Sequence, residues 1–321
     1  MRRDRPGRKG RTLSRGGAAT QLFLGTERRI ASMPDVRILA PGDDAALEGF
    51  LARHADSSMF LRSNARAAGL ADAREPFQAT YVAAWERGDI VAVAAHCWNG
   101  VVLVQAPVHL AAVVRAAVER SGRPVRGVAG PHHEVVAARA ALGLARTPAA
   151  KDSREVLFAL ALEDLVVPQP LAAGLVRCRR PREDERDLLV EWRAAYCVAA
   201  LGASDGPELR RSCRSDIAWQ IETEASWMLL AEERPVAYSA FNARLPDMVQ
   251  VGGVWTPPAL RGRGYGRAVV AGSLRAAREQ GVSRAILFTE EDNHAARAAY
   301  VALGFGIVGD YGLVLLADAQ C

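Results

Sequence analysis

"TPPALRGRGYGRAVV", residues 256–270, sets Gly262, Gly264 and Gly266 among Arg261, Arg263 and Arg267, after a proline pair and before an apolar run. Upstream, "MVQVGGVWT" (248–256) reads as a strand from its apolar and β-branched content. Downstream, "RAVVAGSLRAAREQG" (267–281) puts Val270, Leu274 and Ala277 on one helical face, Arg275, Arg278 and Glu279 opposite, and Gly281 at the C-cap. In a strand, glycine turn and helix start, several backbone N–H groups converge with no side chain in the way, beside the positive end of the helix dipole. Such a loop suits a phosphate. The dinucleotide fingerprint G-x-G-x-x-G fails, because Arg267 stands where its third glycine belongs. The P-loop of nucleotide hydrolases fails, because no G-K-[ST] follows.

Arg261, Gly264 and Gly266 do form R-x-x-G-x-G, which resembles the pyrophosphate motif of the GNAT acetyltransferase superfamily. The resemblance extends over residues 248–305: "VWTPP" looks like the end of that family's fourth strand, "LFTEEDN" like its fifth, and "NHAARAAYVALGF" like its N-x-x-A…Y…G-F helix. It implies acetyl-coenzyme A as acetyl-donor cosubstrate and transfer of the acetyl group to an amine. In that fold the fourth and fifth strands splay, and a pantetheine arm adds to the open edge as a pseudo-strand. The backbone of Val254, Trp255 and Thr256 is expected to pair with it, and Gly252 and Gly253 to mark the bulge that splaying needs. Gly262, Gly264, Tyr265 and Gly266 are expected to bind the diphosphate. Arg261 and Arg263 either approach the phosphates or remain solvated surface charges. Asn293 hydrogen-bonds the coenzyme, caps its helix, or does both.

Attack on a thioester needs a neutral amine, and an alkylammonium of pKa about 10.4 is neutral roughly once in a few thousand molecules at pH 7. The departing thiolate also needs a proton or a hydrogen bond, which a phenol can supply. Tyr300 lies two helical turns beyond Asn293 on the same face, and it occupies the position of the family's usual general-acid tyrosine. The base is open among Glu290, Glu291, Asp292 and the ordered water that many family members use. Trp192, Tyr196, Trp219, Trp227 and Trp255 are candidates to line an amine pocket. His294 reads as an exposed helix residue.

The chain repeats itself. "VRILAPGDD" from Val36 parallels "VRCRRPRED" from Val176, and "VVAARAALGL" ending at Leu144 parallels "ARAAYVALGF" ending at Phe305. The fold class expected is α/β: two tandem GNAT-type units, each a mixed, mostly antiparallel sheet flanked by helices. The boundaries are 34–165 and 171–321, joined by the linker "VVPQP" (166–170). The first unit lacks the glycine motif, with Arg139 at the place of Tyr300 and His132 at that of Asn293, and reads as a degenerate copy. Residues 1–32 carry nine basic side chains against Asp4 and Glu27, although the chain's net charge is only +5, so the remainder is slightly acidic. Segment 1–33 is therefore a disordered basic arm, or translation from a start upstream of Met33.

Five cysteines without C-x-x-C spacing argue against a zinc site or a disulfide framework and for a reducing cytoplasm. No uninterrupted apolar run is long enough to span a bilayer. The acceptor is a small-molecule or protein amine, and the protein a monomer or homodimer. The alternative from another class is a non-catalytic acyl-coenzyme A sensor. Nucleic-acid binding is left to the arm alone.

Overall fold

The computed structural model describes residues 34–317. The basic segment 1–33 and Cys321 lie outside the described residues. The first repeat runs β1 (Asp35–Ile38), α1 (Asp44–Leu51), α2 (Met59–Ala68), β2 (Ala79–Glu86), β3 (Asp89–Cys97), β4 (Val101–Gln105), α3 (Leu110–Ser121), β5 (Gly127–Pro131), α4 (His132–Ala141) and β6 (Ala149–Ala161). After a short α5 (Gln169–Ala172) the same order recurs. The second repeat is β7 (Val176–Arg179), α6 (Arg186–Leu201), α7 (Pro207–Glu222), β8 (Ser226–Ala231), β9 (Arg234–Arg244), β10 (Met248–Trp255), α8 (Tyr265–Glu279), β11 (Arg284–Glu290), α9 (His294–Val301) and β12 (Gly306–Leu316). Strand for strand and helix for helix, the two correspond. The largest difference bearing on function is the connection after the fourth strand, residues 106–109 in the first repeat and 256–264 in the second.

The strands do not form two separate sheets. One mixed, mostly antiparallel sheet of twelve strands runs in the order β1-β2-β3-β4-β5-β12-β6-β11-β10-β9-β8-β7. Each repeat has given its last strand to the other: β6 pairs with β11 from Glu155↔Glu290 to Ala161↔Arg284, while β12 pairs with β5 from Tyr311↔Pro131 to Leu315↔Gly127. β6 and β12 pair with each other at the centre. The run "VLFALA" (156–161) suits a strand covered on both faces, and Leu157, Phe158 and Leu160 are buried. Phe158, Leu160 and Leu162 therefore sit in the core under α8 and α9 of the second repeat. Val314 and Leu316 sit in the core of the first.

This exchange corrects the picture of two self-contained units. Residues 34–317 pack as one body, and the segment 166–170 is held against the second repeat rather than spanning a gap. The Val166 N–H donates to Leu303 O, and Leu171 just beyond is buried. The halves are also tied across the sheet by Asp56, whose carboxylate accepts from Arg284 Nε and Nη2 at 2.7 and 2.6 Å. Truncating Phe158 to alanine is expected to cost about 3–5 kcal/mol, the usual toll for a fully buried phenylalanine. Because β6 is shared, far-UV circular dichroism and tryptophan fluorescence should report one transition, shifted as a whole. Two transitions, with only one displaced, would mean that the repeats fold apart.

Among the described residues no helix is long and apolar enough to cross a membrane, and no cluster of metal-ligating side chains forms.

Candidate active site

The site begins where β10 and β11 part. They pair in parallel through Met248↔Arg284, Val249↔Ala285 and Gln250↔Ile286, and no further. Gln250 seals the apex, its Nε2 donating to Val251 O at 2.8 Å. Beyond it β10 bulges away between Gly252 and Trp255 while keeping its ladder to β9. The two glycines fit that bulge for separate reasons. A Cβ on Gly252 would lie 1.8 Å from Asn242 Nδ2, and Gly253 has φ +60°, a region that costs an L side chain strain. The sequence leads to expect a bulge and a splay at this position, and here the bulge is what opens the splay.

The glycine loop follows. Gly262 and Gly264 have φ of +78° and +76°, and a Cβ on Gly262 would meet nothing within 4 Å. Gly264 is the N-cap of α8 and supplies no side-chain cap. Consequently the backbone N–H groups of residues 262–267 make no hydrogen bond to any described residue. A helix start with so many free donors calls for an anion. Arg267 adds a guanidinium whose buried Nε also lacks a partner. The chemistry of this donor set fits a diphosphate, and the open strand edge beyond Gln250 fits an extended arm with amide groups.

Arg261 Nε donates to Thr256 O at 3.1 Å and its guanidinium lies 4.9 Å from the Trp255 ring centre, so it braces the loop. Val254–Thr256, residues 261–266, Asn293 and Tyr300 all border one cavity of about 1470 Å³. Asn293 Oδ1 accepts from the Ala296 N–H at 3.2 Å, which shows the capping role and leaves Nδ2 for a ligand. Tyr300 is buried, edge-on to Phe158 and Phe305, and its hydroxyl makes no hydrogen bond to a described residue. Burial, with the nearby Tyr196 and Glu155, pushes its pKa well above that of a free phenol. It is thus held as a neutral O–H donor.

Some expectations fail. Trp227 is buried against Phe241 with Arg180 stacked on it, and Trp192 packs among the α6 and α7 side chains. Neither borders the cavity, whereas Tyr196, Trp219 and Trp255 do. Glu291 and Asp292 face a separate shallow depression beside His294 and Arg297. Glu290 borders both and is paired with Lys151 Nζ.

The sequence reading also missed residues. The far wall of the cavity comes from the first repeat and the shared strands, including Phe60, Phe77, Trp98, Lys151 and Glu155. No local signal marks them, because they reach the site only through the strand exchange.

In the first repeat β4 and β5 also pair over three residues, Val101↔Gly127 to Leu103↔Ala129, but beyond them the backbones stay close, since a Cβ on Gly130 would lie 2.5 Å from Val104 O. The N–H of Ala106, where the loop would start, is taken by Glu134 Oε2 at 2.5 Å, a carboxylate 2% exposed whose pKa burial raises. Arg139 points away, bonded to Asp152 and to Thr147 O.

Comparison with known proteins agrees with this geometry. The profile of the acetyltransferase (GNAT) family matches residues 187–305. A mycothiol acetyltransferase of Nocardia farcinica (strain IFM 10152) is 30% identical over 210 residues, which span 60% of this chain and 65% of that relative. An X-ray structure of a Drosophila protein aligns over 88% of this chain and 98% of its own, with a TM-score of 0.61 and 14% identity. A GCN5-related N-acetyltransferase from Sphaerobacter thermophilus covers 88% and 96%, with a TM-score of 0.54 and 16% identity. A tandem GNAT protein from the clavulanic acid biosynthesis pathway covers 90% and 99%, with a TM-score of 0.52 and 15% identity. At such identities the structures speak to the fold alone, and the fold they share is the whole described body, both repeats included. The stretch that the acetyltransferase (GNAT) profile matches, residues 187–305, is the one that holds the splayed strands and the uncapped glycine loop.

Proposed function

We propose that the second repeat is an N-acetyltransferase that takes the acetyl group of acetyl-coenzyme A to an amine. The observation that carries the reading is the set of free N–H groups over residues 262–267, opening onto the same cavity as an unpartnered tyrosine hydroxyl. When bound, acetyl-coenzyme A supplies an activated acyl group as a thioester. The protein's own residues do the rest. Amides of residues 262–267 and the Arg267 guanidinium hold the diphosphate. The edge of β10 at Val254–Thr256 aligns the arm by strand addition. Tyr300 offers its O–H to the sulfur as negative charge gathers there. With its pKa raised, the phenol acts by hydrogen bonding to the sulfur rather than by surrendering its proton.

The first repeat is a degenerate copy in this reading, because Glu134 and Gly130 fill the gap that an arm would need. Calorimetry with acetyl-coenzyme A should therefore show one site per chain, and a thiol-release assay over a panel of amines should show turnover. Two sites per chain would remove the degenerate reading. Tight binding with no turnover on any amine would make the protein a coenzyme sensor instead.

A further inference from the structure

The cavity continues well past the point where a thioester would lie, and its chemistry there differs from that around the loop. Glu155, on β6, is 5% exposed and borders the cavity. It accepts from Ser153 Oγ at 2.7 Å and lies 3.2 Å from Lys151 Nζ. Lys151, 9% exposed, also pairs with Glu290. Two carboxylates around one ammonium leave this corner one negative charge in excess. Arg193, the remaining cation at this end, is already paired with Asp216 at 3.2 Å. Glu290 is half exposed and Glu155 buried, so the excess charge is partly open to solvent, and beside a cavity it favours a ligand of opposite sign. Glu155, Tyr196 and the candidate donor Tyr300 border the same cavity.

Around that corner the walls are rings. Phe288 stacks on Tyr311 with centres 4.7 Å apart and meets Phe60 edge-on at 6.3 Å. At the mouth, Phe77 bridges the repeats, 4.9 Å from Trp98 and 5.3 Å from Trp219. Phe77 keeps a φ of +67°, which a bulky residue adopts only where its surroundings enforce it, and such strain clusters at ligand clamps.

We propose that the acceptor is an arylalkylamine, a primary ammonium carried on an aromatic body. Glu155 receives the ammonium, and the rings contributed largely by the first repeat and the shared strands receive the aromatic group. This rests on the acetyltransferase reading and assigns the acceptor class to it. It also gives the first repeat a purpose: without a coenzyme site of its own, it forms the acceptor half of its neighbour's. Glu155 is a positioning residue here: ion-paired with Lys151 at 3.2 Å, it holds the incoming cation in place.

The test uses the full chain with acetyl-coenzyme A, a thiol-release assay, and two probes, 2-phenylethylamine and n-propylamine. The aromatic amine should have the higher kcat/KM by about 10- to 100-fold, the value of burying one ring. Glu155→Gln should lower kcat/KM for 2-phenylethylamine by about 10- to 100-fold, mostly through KM, as for loss of a hydrogen bond to a charged group. Glu155→Asp should recover part of it, and the Kd for acetyl-coenzyme A by calorimetry should not move. Should Glu155→Gln fail to fold, Trp98→Ala takes its place, and it should lower kcat/KM for 2-phenylethylamine more than for n-propylamine. Acetyl-coenzyme A binding with equal use of the two amines, with no use of either, with Glu155→Gln leaving kcat/KM for 2-phenylethylamine unchanged, or with the substitute Trp98→Ala leaving the preference unchanged would overturn the assignment and leave the coenzyme reading intact. Failure to bind acetyl-coenzyme A would remove both.

Discussion

Replacing Gly264 with valine is expected to abolish useful affinity for acetyl-coenzyme A, raising its Kd by about 10²-fold or more, while the protein still folds. The loss follows from what the residue does at the head of α8. Its φ of +76° turns the chain so that successive N–H groups face the same space. A β-branched side chain disfavours that φ and would also project among the donors. Losing two hydrogen bonds to a charged phosphate, at about 1.5–3 kcal/mol each, accounts for the drop. The fold should survive, because a Cβ at this position would meet only Arg267 Nη2, at 3.9 Å. The strain itself should cost about 1–2 kcal/mol. Gly281, at the other end of the same helix, provides the control: its φ is +90° and its surroundings are equally open. Gly281→Val should lose similar stability in a thermal melt and none of its coenzyme affinity in calorimetry. If both variants bound acetyl-coenzyme A equally well, the loop would be only a turn.

The contrast between these two glycines also separates what sequence can tell from what it cannot. The loop, its strand and its helix were legible because each depends on neighbours along the chain. Gly264 turns its own backbone, Asn293 caps its own helix, and Tyr300 sits two turns further along the same face. Likewise the repeat was visible as a repeat, since each copy carries its own turn and helix signals. The exchange of β6 and β12 was not. Which strand lies beside β11 is decided by long-range packing, and "VLFALA" suits any buried strand equally well. Glu155 and Lys151 therefore looked like ordinary residues of a strand in the other unit. The misplacement of Trp227 has a related origin. Strand periodicity fixes that Trp227 and Met228 face opposite ways, but nothing local says whether either reaches the cavity. Arg261 was ambiguous for a third reason, because a long side chain finds its partners, here Thr256 O and the Trp255 ring, only once the loop is folded.

Closure of the first repeat's gap is of the same long-range kind, and it bears on why both copies persist. Glu134 takes the Ala106 N–H, an internal carboxylate replacing the external ligand for which the second repeat's helix start remains open. The bond gives that backbone N–H a partner within the repeat, without a ligand. The first repeat can then be rigid from the outset, and a rigid wall is what an acceptor pocket needs.

Tyr300→Phe is the variant that should divide binding from chemistry most sharply. The ring is buried and its packing against Phe158 and Phe305 is retained by phenylalanine. The hydroxyl has no partner among the described residues, so its removal strands no other polar group, and the melting temperature should stay level or rise slightly. Coenzyme affinity should also be kept, since the diphosphate and the arm are held by backbone elsewhere. Turnover should not be kept. Removing one donor aimed at developing negative charge typically costs about 10²–10³-fold in kcat, and that loss should appear in kcat with KM for the amine little changed. The raised pKa adds a second signature. A phenol that stays protonated through the working range contributes no limb to the pH profile of kcat, so parent and variant profiles should run parallel rather than diverge toward alkaline pH. Parallel profiles with unequal heights would identify a hydrogen-bond donor; profiles of equal height would take Tyr300 out of the chemistry altogether.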